Sequence, residues 1–497
     1  MSWDLSWPWE WHWPTFALTW VGVLAGIDFI VRIISLIVVP RNRRPQTATA
    51  WLLAIFLIPY VGIFLFLVLG SRRLPKRRRE KQLEINRYII ETTEGIDRVS
   101  QDNPWPSWLE PIVELNRKLG AMPLVGGNSA KLYPHYEESL AAMTQAVRDA
   151  KRYVHAEFYI FAWDETTTPF FDAMEDAVKR GVTVRVLLDH VACLRAPNYL
   201  RTIRKLKKIG VSWHLMLPVQ PWRGQWRRPD LRNHRKLLIL DGVVAFTGSQ
   251  NMVDRSYNKR GNKRRGLKWK DLMVRFEGPI VAGINALFVT DWYSETDELL
   301  LRETEPEPLT LSGAPLDAQV VPSGPGFEGE NNLRLFNSLL YAAQERIIIT
   351  SPYFVPDESM LYAITTAAQS GLDVQLFVSE IGDQPVVYHA QRSYYEELLK
   401  AGVRIWLYKA PTVLHAKHFT IDDQVAVIGS SNMDMRSFSL NLEISVMVRG
   451  RDFVKSIREL EQSYRNESRE LTLDEWMTRP VPGAVLDNLA RLTAAVQ

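Results

Sequence analysis

His234 and Lys236 stand two residues apart and are followed by Asp241, Gly248, Ser249 and Asn251 in the segment HRKLLILDGVVAFTGSQN. The same residue types return 181 positions later in HAKHFTIDDQVAVIGSSN, as His415, Lys417, Asp422, Gly429, Ser430 and Asn432. Arg255-Ser256 and Arg436-Ser437 extend the match. Each copy brings together an imidazole, an ammonium, a hydroxyl and an amide. That set suits displacement at phosphorus. Lysines and asparagines can hold the nonbridging oxygens as negative charge accumulates. One imidazole can attack phosphorus while the other protonates the departing alkoxide and later deprotonates the incoming hydroxyl. The lysines supply the positive charge that magnesium supplies in other phosphoryl-transfer sites, so neither metal nor cofactor is expected. A duplicated structural hairpin would explain the glycines, but not the paired His and Lys.

The elements around the motifs must place these groups. On a strand, His234 and Lys236 point to one face, as do His415 and Lys417. HRKLLILDG reads as a strand running into a turn, and VVAFTGS and QVAVIGS read as returning strands that bring Ser and Asn back to the same edge. Upstream, YEESLAAMTQAVRDAKRYVHAEFYIF, FDAMEDAVKRGVTVRVLLDHV and LRTIRKLKKIGVSWHLM each read as a helix followed by a strand. NLRLFNSLLYAAQERIIITSPYF, LYAITTAAQSGLDVQLFVSE and YYEELLKAGVRIWLY repeat the series. Gly181, Gly210, Gly371 and Gly402 fall where such helices need a C-terminal cap. The expected fold class is α/β, with two similar halves at 131–302 and 318–497 forming one catalytic unit. The acidic, Pro-rich stretch ETEPEPLTLSGAPLD (303–317) is the expected linker, and 81–130 a connector ahead of the first half.

At 497 residues the chain exceeds a single core. Sixty Lys and Arg against 56 Asp and Glu give a net charge of +4, so local clusters matter more than the total. Cys193 is the one cysteine, which excludes an intrachain disulfide framework and a cysteine-rich metal site. The histidines include no HExxH helix signature.

The N-terminal region predicts a membrane anchor over 1–80. Residues 15–39 are apolar apart from Asp28 and Arg32, and 51–69 carry no charge. Two transmembrane helices are expected, at about 15–39 and 49–69. Asp28 and Arg32, four apart, could neutralise each other, and Pro59 and Gly62 could kink the second span. A cleaved leader fits poorly, because MSWDLSWPWEW lacks Lys and Arg and a second apolar stretch follows. Its tryptophans fit an aromatic belt at the lipid interface. RNRR (41–44) and SRRLPKRRRE (71–80) put positive charge at both ends of the second span. The larger cluster favours a multi-pass membrane protein with its catalytic portion on the cytoplasmic face. RRLPKRRR should also attract anionic headgroups.

The two motif copies match HxKxxxxDxxxxxxGSxN without gaps, and over residues 130–450 the chain resembles the phospholipase D superfamily. The resemblance implies two phospholipase D-type α/β halves closing over one site, behind an N-terminal two-helix transmembrane hairpin. It implies that His and Lys act at phosphorus and that Asp241 and Asp422 support local structure. Glu443 in NLEIS resembles the family's carboxylate that orients an active-site imidazole. Asp271 in KWKDLMVRFEGP is the candidate for that role in the first half. Ser249, Asn251, Ser430 and Asn432 are implied to bind phosphate or support the site. The superfamily's usual order makes His234 the nucleophile and His415 the acid and base, although the near-symmetry admits the reverse.

The superfamily holds lipid enzymes and nucleases. RSYNKRGNKRRGLKWK (255–270) and WRGQWRRPDLRNHRK (222–236) could track a nucleic-acid backbone, lie on an anionic membrane, or be solvated loops. The membrane anchor favours lipid over nucleic acid, since a tethered site reaches a bilayer substrate best. The order of parts, with Pro45 ahead of WLLAIFLIPYVGIFLFLVLG, then TSPYFVPDESMLYAI and SSNMDMRSFSLNLE, resembles the bacterial cardiolipin synthases. That likeness implies transfer of a phosphatidyl group between two phosphatidylglycerol molecules through phosphatidyl-histidine. The implied partners are phosphatidylglycerol, other anionic phospholipids and the bilayer. A hydrolase using water, transfer to another headgroup, a nuclease and an inactive scaffold are the competing readings.

Overall fold

The computed structural model describes residues 13–41, 43–70, 74–94, 105–300, 316–327 and 329–493. The Trp-rich start and most of the 303–317 linker lie outside the described residues. Contacts divide the chain into Met1–Arg72 and Arg73–Gln497.

The first unit holds three helices: α1 (Trp13–Val38), α2 (Pro45–Leu57) and α3 (Pro59–Leu69). Among the described residues α1 alone is long and apolar enough to cross a bilayer. The expected ion pair forms, with Arg32 Nε 2.7 Å from Asp28. The expected second crossing at 49–69 does not form as one helix. Pro59 lacks an N–H and its ring cannot follow a helical turn, so the helix stops at Ile58 (φ −133°, ψ 72°) and restarts. α3 then folds back along α2, with Trp51 and Phe66 in edge contact at 5.6 Å. Gly62 makes this possible, since a Cβ there would overlap the Ala54 carbonyl.

In the second unit, α4 (Lys76–Thr92) and α5 (Leu109–Gly120) occupy the region expected as a connector and pack onto the body. α5 buries Leu109, Ile112, Val113 and Asn116, one stripe at helical spacing. Arg78 is buried against Asp291 and Glu295, and Lys81 reaches Asp297 and the Tyr293 carbonyl. Arg78 of the basic run and Lys81 just beyond it are therefore engaged with the protein, not free for headgroups.

The body is built on one mixed sheet. The first half contributes β1 (Leu124–Tyr133), β2 (Tyr153–Phe158), β3 (Thr183–Asp189), β4 (Ser212–Met216), β5 (Lys236–Leu240), β6 (Val244–Gly248) and β7 (Met273–Glu277). The second contributes β8 (Leu316–Ser323), β9 (Arg346–Thr350), β10 (Asp373–Ser379), β11 (Arg404–Tyr408), β12 (His418–Ile421), β13 (Val425–Gly429), β14 (Asn441–Arg449) and β15 (Ser468–Leu471). The spatial order is β4-β3-β2-β5-β6-β7-β1-β8-β14-β13-β12-β9-β10-β11-β15. Each strand of the first half thus has its counterpart at mirrored rank in the second, with β15 added at the far edge. β1 and β8 run antiparallel and join the halves. β8 starts at Leu316, two residues inside the expected linker.

The helices expected between strands are present, and Gly181, Gly210, Gly371 and Gly402 all take left-handed φ at their ends. Helices Ile280–Thr296 and Arg451–Asn466 pack on one face of the sheet. A core containing Phe276, Ile284, Phe288, Ile444, Val446 and Ile457 runs through both halves. The halves share apolar burial, so they are held as one body.

Candidate active site

The first motif opens at a two-residue strand, Arg232–Asn233, lying parallel to Asn441–Leu442 of the second half. The His234 N–H donates to the Leu442 carbonyl at 2.9 Å. The next residue on that partner strand is Glu443, and His234 Nδ1 lies 3.0 and 3.1 Å from its two carboxylate oxygens. The second motif is built the same way with the halves exchanged. Lys268–Lys270 runs parallel to Thr412–Leu414, and the His415 N–H donates to the Lys270 carbonyl at 2.7 Å. His415 Nδ1 lies 2.6 Å from Asp271 Oδ1. Each histidine is therefore held by a carboxylate of the other half. Asp271 lies against an imidazole, but that of the second half and not of the first.

The motif serines support these carboxylates. Ser249 Oγ donates to Asp271 at 2.7 Å, and Ser430 Oγ donates to Glu443 at 2.5 Å. The glycine before each serine permits this. A Cβ on Gly248 would overlap the Leu272 carbonyl, and one on Gly429 the Ile444 carbonyl. Without side chains there, the Ser249 and Ser430 N–H groups donate to those same carbonyls at 2.9 Å.

Lys236 and Lys417 are buried, and each ammonium donates to the carbonyl of its own histidine, Lys417 at 2.7 Å. The asparagines differ. Asn251 accepts the Ile160 N–H and donates to the Tyr257 hydroxyl, whereas the Asn432 side chain makes no hydrogen bond among the described residues. Asn432 is thus the amide left for a ligand.

Asp241 and Asp422 sit at the hairpin turns away from the histidines, at φ +55° and +49°. Asp241 accepts the backbone N–H groups of Lys151, Arg152 and Tyr153 at 2.7 to 2.9 Å. Asp422 accepts those of Gln344, Glu345 and Arg346. Both tie the turn to the start of the neighbouring strand.

The electrostatics bind the two motifs into one field. Burial pushes the His234 imidazole down to about 4 against the pull of Glu443, with Lys236 and Lys417 adding to the depression. Burial and Lys417 push His415 down to about 4 against Asp271, and Lys236 contributes as well. Each imidazole thus feels the ammonium of the opposite half. Burial also lowers Lys417 to about 8 and Lys236 well below its ordinary value. For Asp271, burial acts upward but His415, Lys417 and Ser249 outweigh it and bring the carboxyl to about 2. The carboxylates are ionised and the rings neutral at neutral pH, so Nδ1–H is donated to Asp271 or Glu443. Nε2 of each ring is left to react.

Three supporting residues had not been assigned a role. Ser437 donates to Glu443 at 3.0 Å and accepts the Asn432 N–H, and Asn441 donates to Glu443 at 3.3 Å. The repeated Arg-Ser pair was the available signal for Ser437, although its counterpart Ser256 bonds Asp254 instead. The Tyr159 ring meets His234 edge-on at 4.8 Å and lies under the Lys236 ammonium at 5.4 Å. Of the two basic stretches, 222–236 exposes Trp222 and Trp226 beside a short turn, and 255–270 exposes Arg260, Lys263 and Arg264 on its helix. A cavity of about 700 Å³ between β1 and the Arg451–Asn466 helix is lined by Lys131, Lys270, Phe453 and Glu467 and includes none of the motif residues.

Two like halves that exchange carboxylates across a histidine pair define a phospholipase D-like protein. The family described as "Cardiolipin synthase, PLD-like domain" matches residues 143–279 and 336–464, and "Phospholipase_D-nuclease N-terminal" matches 30–71. Cardiolipin synthase A of Proteus mirabilis (strain HI4320) is 33% identical over 489 residues, covering 96% of each chain. Cardiolipin synthase A of Yersinia pseudotuberculosis serotype O:1b is 31% identical over 95% of this chain and 97% of its own. The fold is similar to that of a phosphatidylserine synthase from Haemophilus influenzae, with a TM-score of 0.59 at 13% identity over 79% of this chain and 100% of that one. The chain belongs to the cardiolipin synthase family of phospholipase D-like proteins.

Proposed function

We propose that the protein transfers a phosphatidyl group from one phosphatidylglycerol to a second, releasing glycerol and forming cardiolipin. The observation that carries this is the crossed pairing of His234 with Glu443 and His415 with Asp271, which ties each ring to the opposite half and supports a shared site for one phosphate. Nε2 of His234 attacks phosphorus and forms a P–N bond as the P–O bond to glycerol breaks. His415 gives its Nε2 proton to the departing glycerol oxygen. The arriving phosphodiester anion offsets the depression caused by the two ammoniums, so His415 can take up that proton beforehand. Lys236, Lys417 and Asn432 hold the nonbridging oxygens. A hydroxyl of the second phosphatidylglycerol then attacks phosphorus, passes its proton to His415, and the P–N bond breaks. One phosphodiester replaces another, so no nucleotide is consumed.

The supports for a lipid substrate are the family, the apolar α1 and the exposed Trp222, Arg223 and Trp226. The body works at the cytoplasmic face of the plasma membrane, where Lys- and Arg-rich flanks of apolar helices collect. Mass spectrometry of the products made by the full chain from phosphatidylglycerol vesicles is the test. Cardiolipin and glycerol are expected, and phosphatidic acid alone would mean that water is the acceptor. His234→Ala and His415→Ala should each abolish product, and quenching in alkaline denaturant, in which a P–N bond survives, should trap the phosphatidyl group on one histidine only. Full activity in either variant would end the two-histidine scheme.

A further inference from the structure

The break at Ile58–Pro59 changes what α2 and α3 can do in a bilayer. At about 1.5 Å per residue the two helices reach ~20 and ~16 Å, against a hydrocarbon core of about 30 Å. Neither is long enough to cross. Together they would be, but they are not laid end to end. Trp51 meets Phe66, and Gly62 meets the backbone of Ala54 and Ile55, so the helices run antiparallel from a tip at Ile58.

Arg43 fixes where the open ends lie. Its guanidinium donates to the Val38 and Val39 carbonyls at 3.1 and 2.7 Å, and to the Gly70 carbonyl at 3.0 Å. The Phe66 ring lies 4.8 Å below it. One side chain thus binds the end of α1, the approach to α2 and the end of α3. In a hairpin of two crossings, Arg43 and Gly70 would stand a bilayer apart.

The outer surface of the pair suits hydrocarbon. Leu53, Leu57, Tyr60, Val61, Phe64 and Leu67 are exposed, while Ala48, Ile55 and Gly62 face inward. The tip leaves little backbone unpaired. The Ile58 N–H donates to Ala54, its carbonyl accepts from Gly62, and Pro59 has no N–H to satisfy.

We propose that α1 crosses the membrane once and that α2–α3 is a re-entrant hairpin, dipping into the leaflet on the side where α1 ends and returning there. Charge agrees. With two crossings, Arg41, Arg43 and Arg44 would be separated from the basic residues of 72–79. With a re-entrant hairpin, both clusters flank one face, as the positive-inside tendency requires. The site is then tethered by a wedge in the leaflet that supplies its lipid.

The inference rests on the membrane attachment proposed above, and the test separates the two. In the full chain carrying Cys193→Ser, single cysteines are placed by Ser2→Cys, Arg41→Cys or Lys76→Cys. Sealed vesicles of known orientation are treated with a membrane-impermeant maleimide, and each variant is assayed for lipid synthesis to show that it is folded. The cysteines at 41 and 76 should label from one face and the cysteine at 2 from the opposite face. Labelling of 41 and 76 from opposite faces would overturn the re-entrant hairpin, and labelling of all three from one face would overturn the single crossing. Release of the chain by carbonate would instead remove the membrane reading itself.

Discussion

At the scale of residues, the crossed carboxylates decide how each ring presents Nε2. Asp271→Asn leaves a neutral amide 144 positions from the ring that it orients, and either amide orientation forfeits the charge that stabilises a protonated His415. Loss of such a carboxylate in a His-dependent site costs on the order of 10²–10⁴-fold in kcat. The expected outcome for Asp271→Asn and Glu443→Gln is a fall in kcat of that order with KM little changed, measured by steady-state lipid assays. A merely structural role would lower the fraction of active enzyme and leave its pH profile in place. Lys417 carries a second expectation. Its pKa of about 8 makes it neutral above that pH, so kcat/KM should fall as pH rises through about 8. The stability sign is opposite. Between about 8 and its ordinary 10.5, the unfolded chain binds a proton that the native chain has released, so this group's contribution to stability rises with pH. A melting temperature that holds across the window while kcat/KM falls would separate lost charge from unfolding. An alkaline limb absent up to pH 10 would contradict the role given to Lys417.

At the scale of elements, Asp241 and Asp422 are the clearest case of a motif residue that serves the scaffold. Each collects three N–H groups and sits at positive φ, which Asn adopts at lower cost than Ala. Asp241→Ala or Asp422→Ala should therefore cost roughly 1–3 kcal/mol, and Asn at either position less. Denaturant melts check the stability, and the folded fraction should keep kcat within a few-fold. The first hairpin was readable from an apolar run into Asp241-Gly242, and the second, which turns at Asp422-Asp423, from its match to the first. The strands, the capping glycines and the two-half α/β plan were readable too, since each rests on neighbours in sequence. The break after α2 was not. A count of uncharged residues runs straight through Pro59, and only the packing of Gly62 on Ala54 shows that the chain reverses. Nor could local order reveal that Asp271 belongs to His415. That pairing follows from Lys268–Lys270 lying beside Thr412–Leu414, a long-range contact with no mark in either segment alone.

At the scale of the whole molecule, the site exists only where the two halves meet. Each half supplies one histidine, one lysine and the carboxylate for the other's ring, and a continuous sheet and core hold them in register. Either half alone would present a histidine without its partner oxygen and a buried lysine without its counter-charge, both costly and neither competent. The arrangement also fixes the stoichiometry of the site at one per chain. If the chain is self-sufficient, mixing His234→Ala protein with His415→Ala protein cannot rebuild a site, because no single molecule then holds both rings. Co-reconstitution of the two variants into phosphatidylglycerol vesicles should therefore yield no cardiolipin above either variant alone. Recovery of about a quarter to a half of wild-type activity would instead show that halves are exchanged between chains, as domain swapping allows. The sheet argues against that outcome. β1 and β8 pair within one chain near its centre, and separating them would expose two central strand edges and the apolar core that spans them.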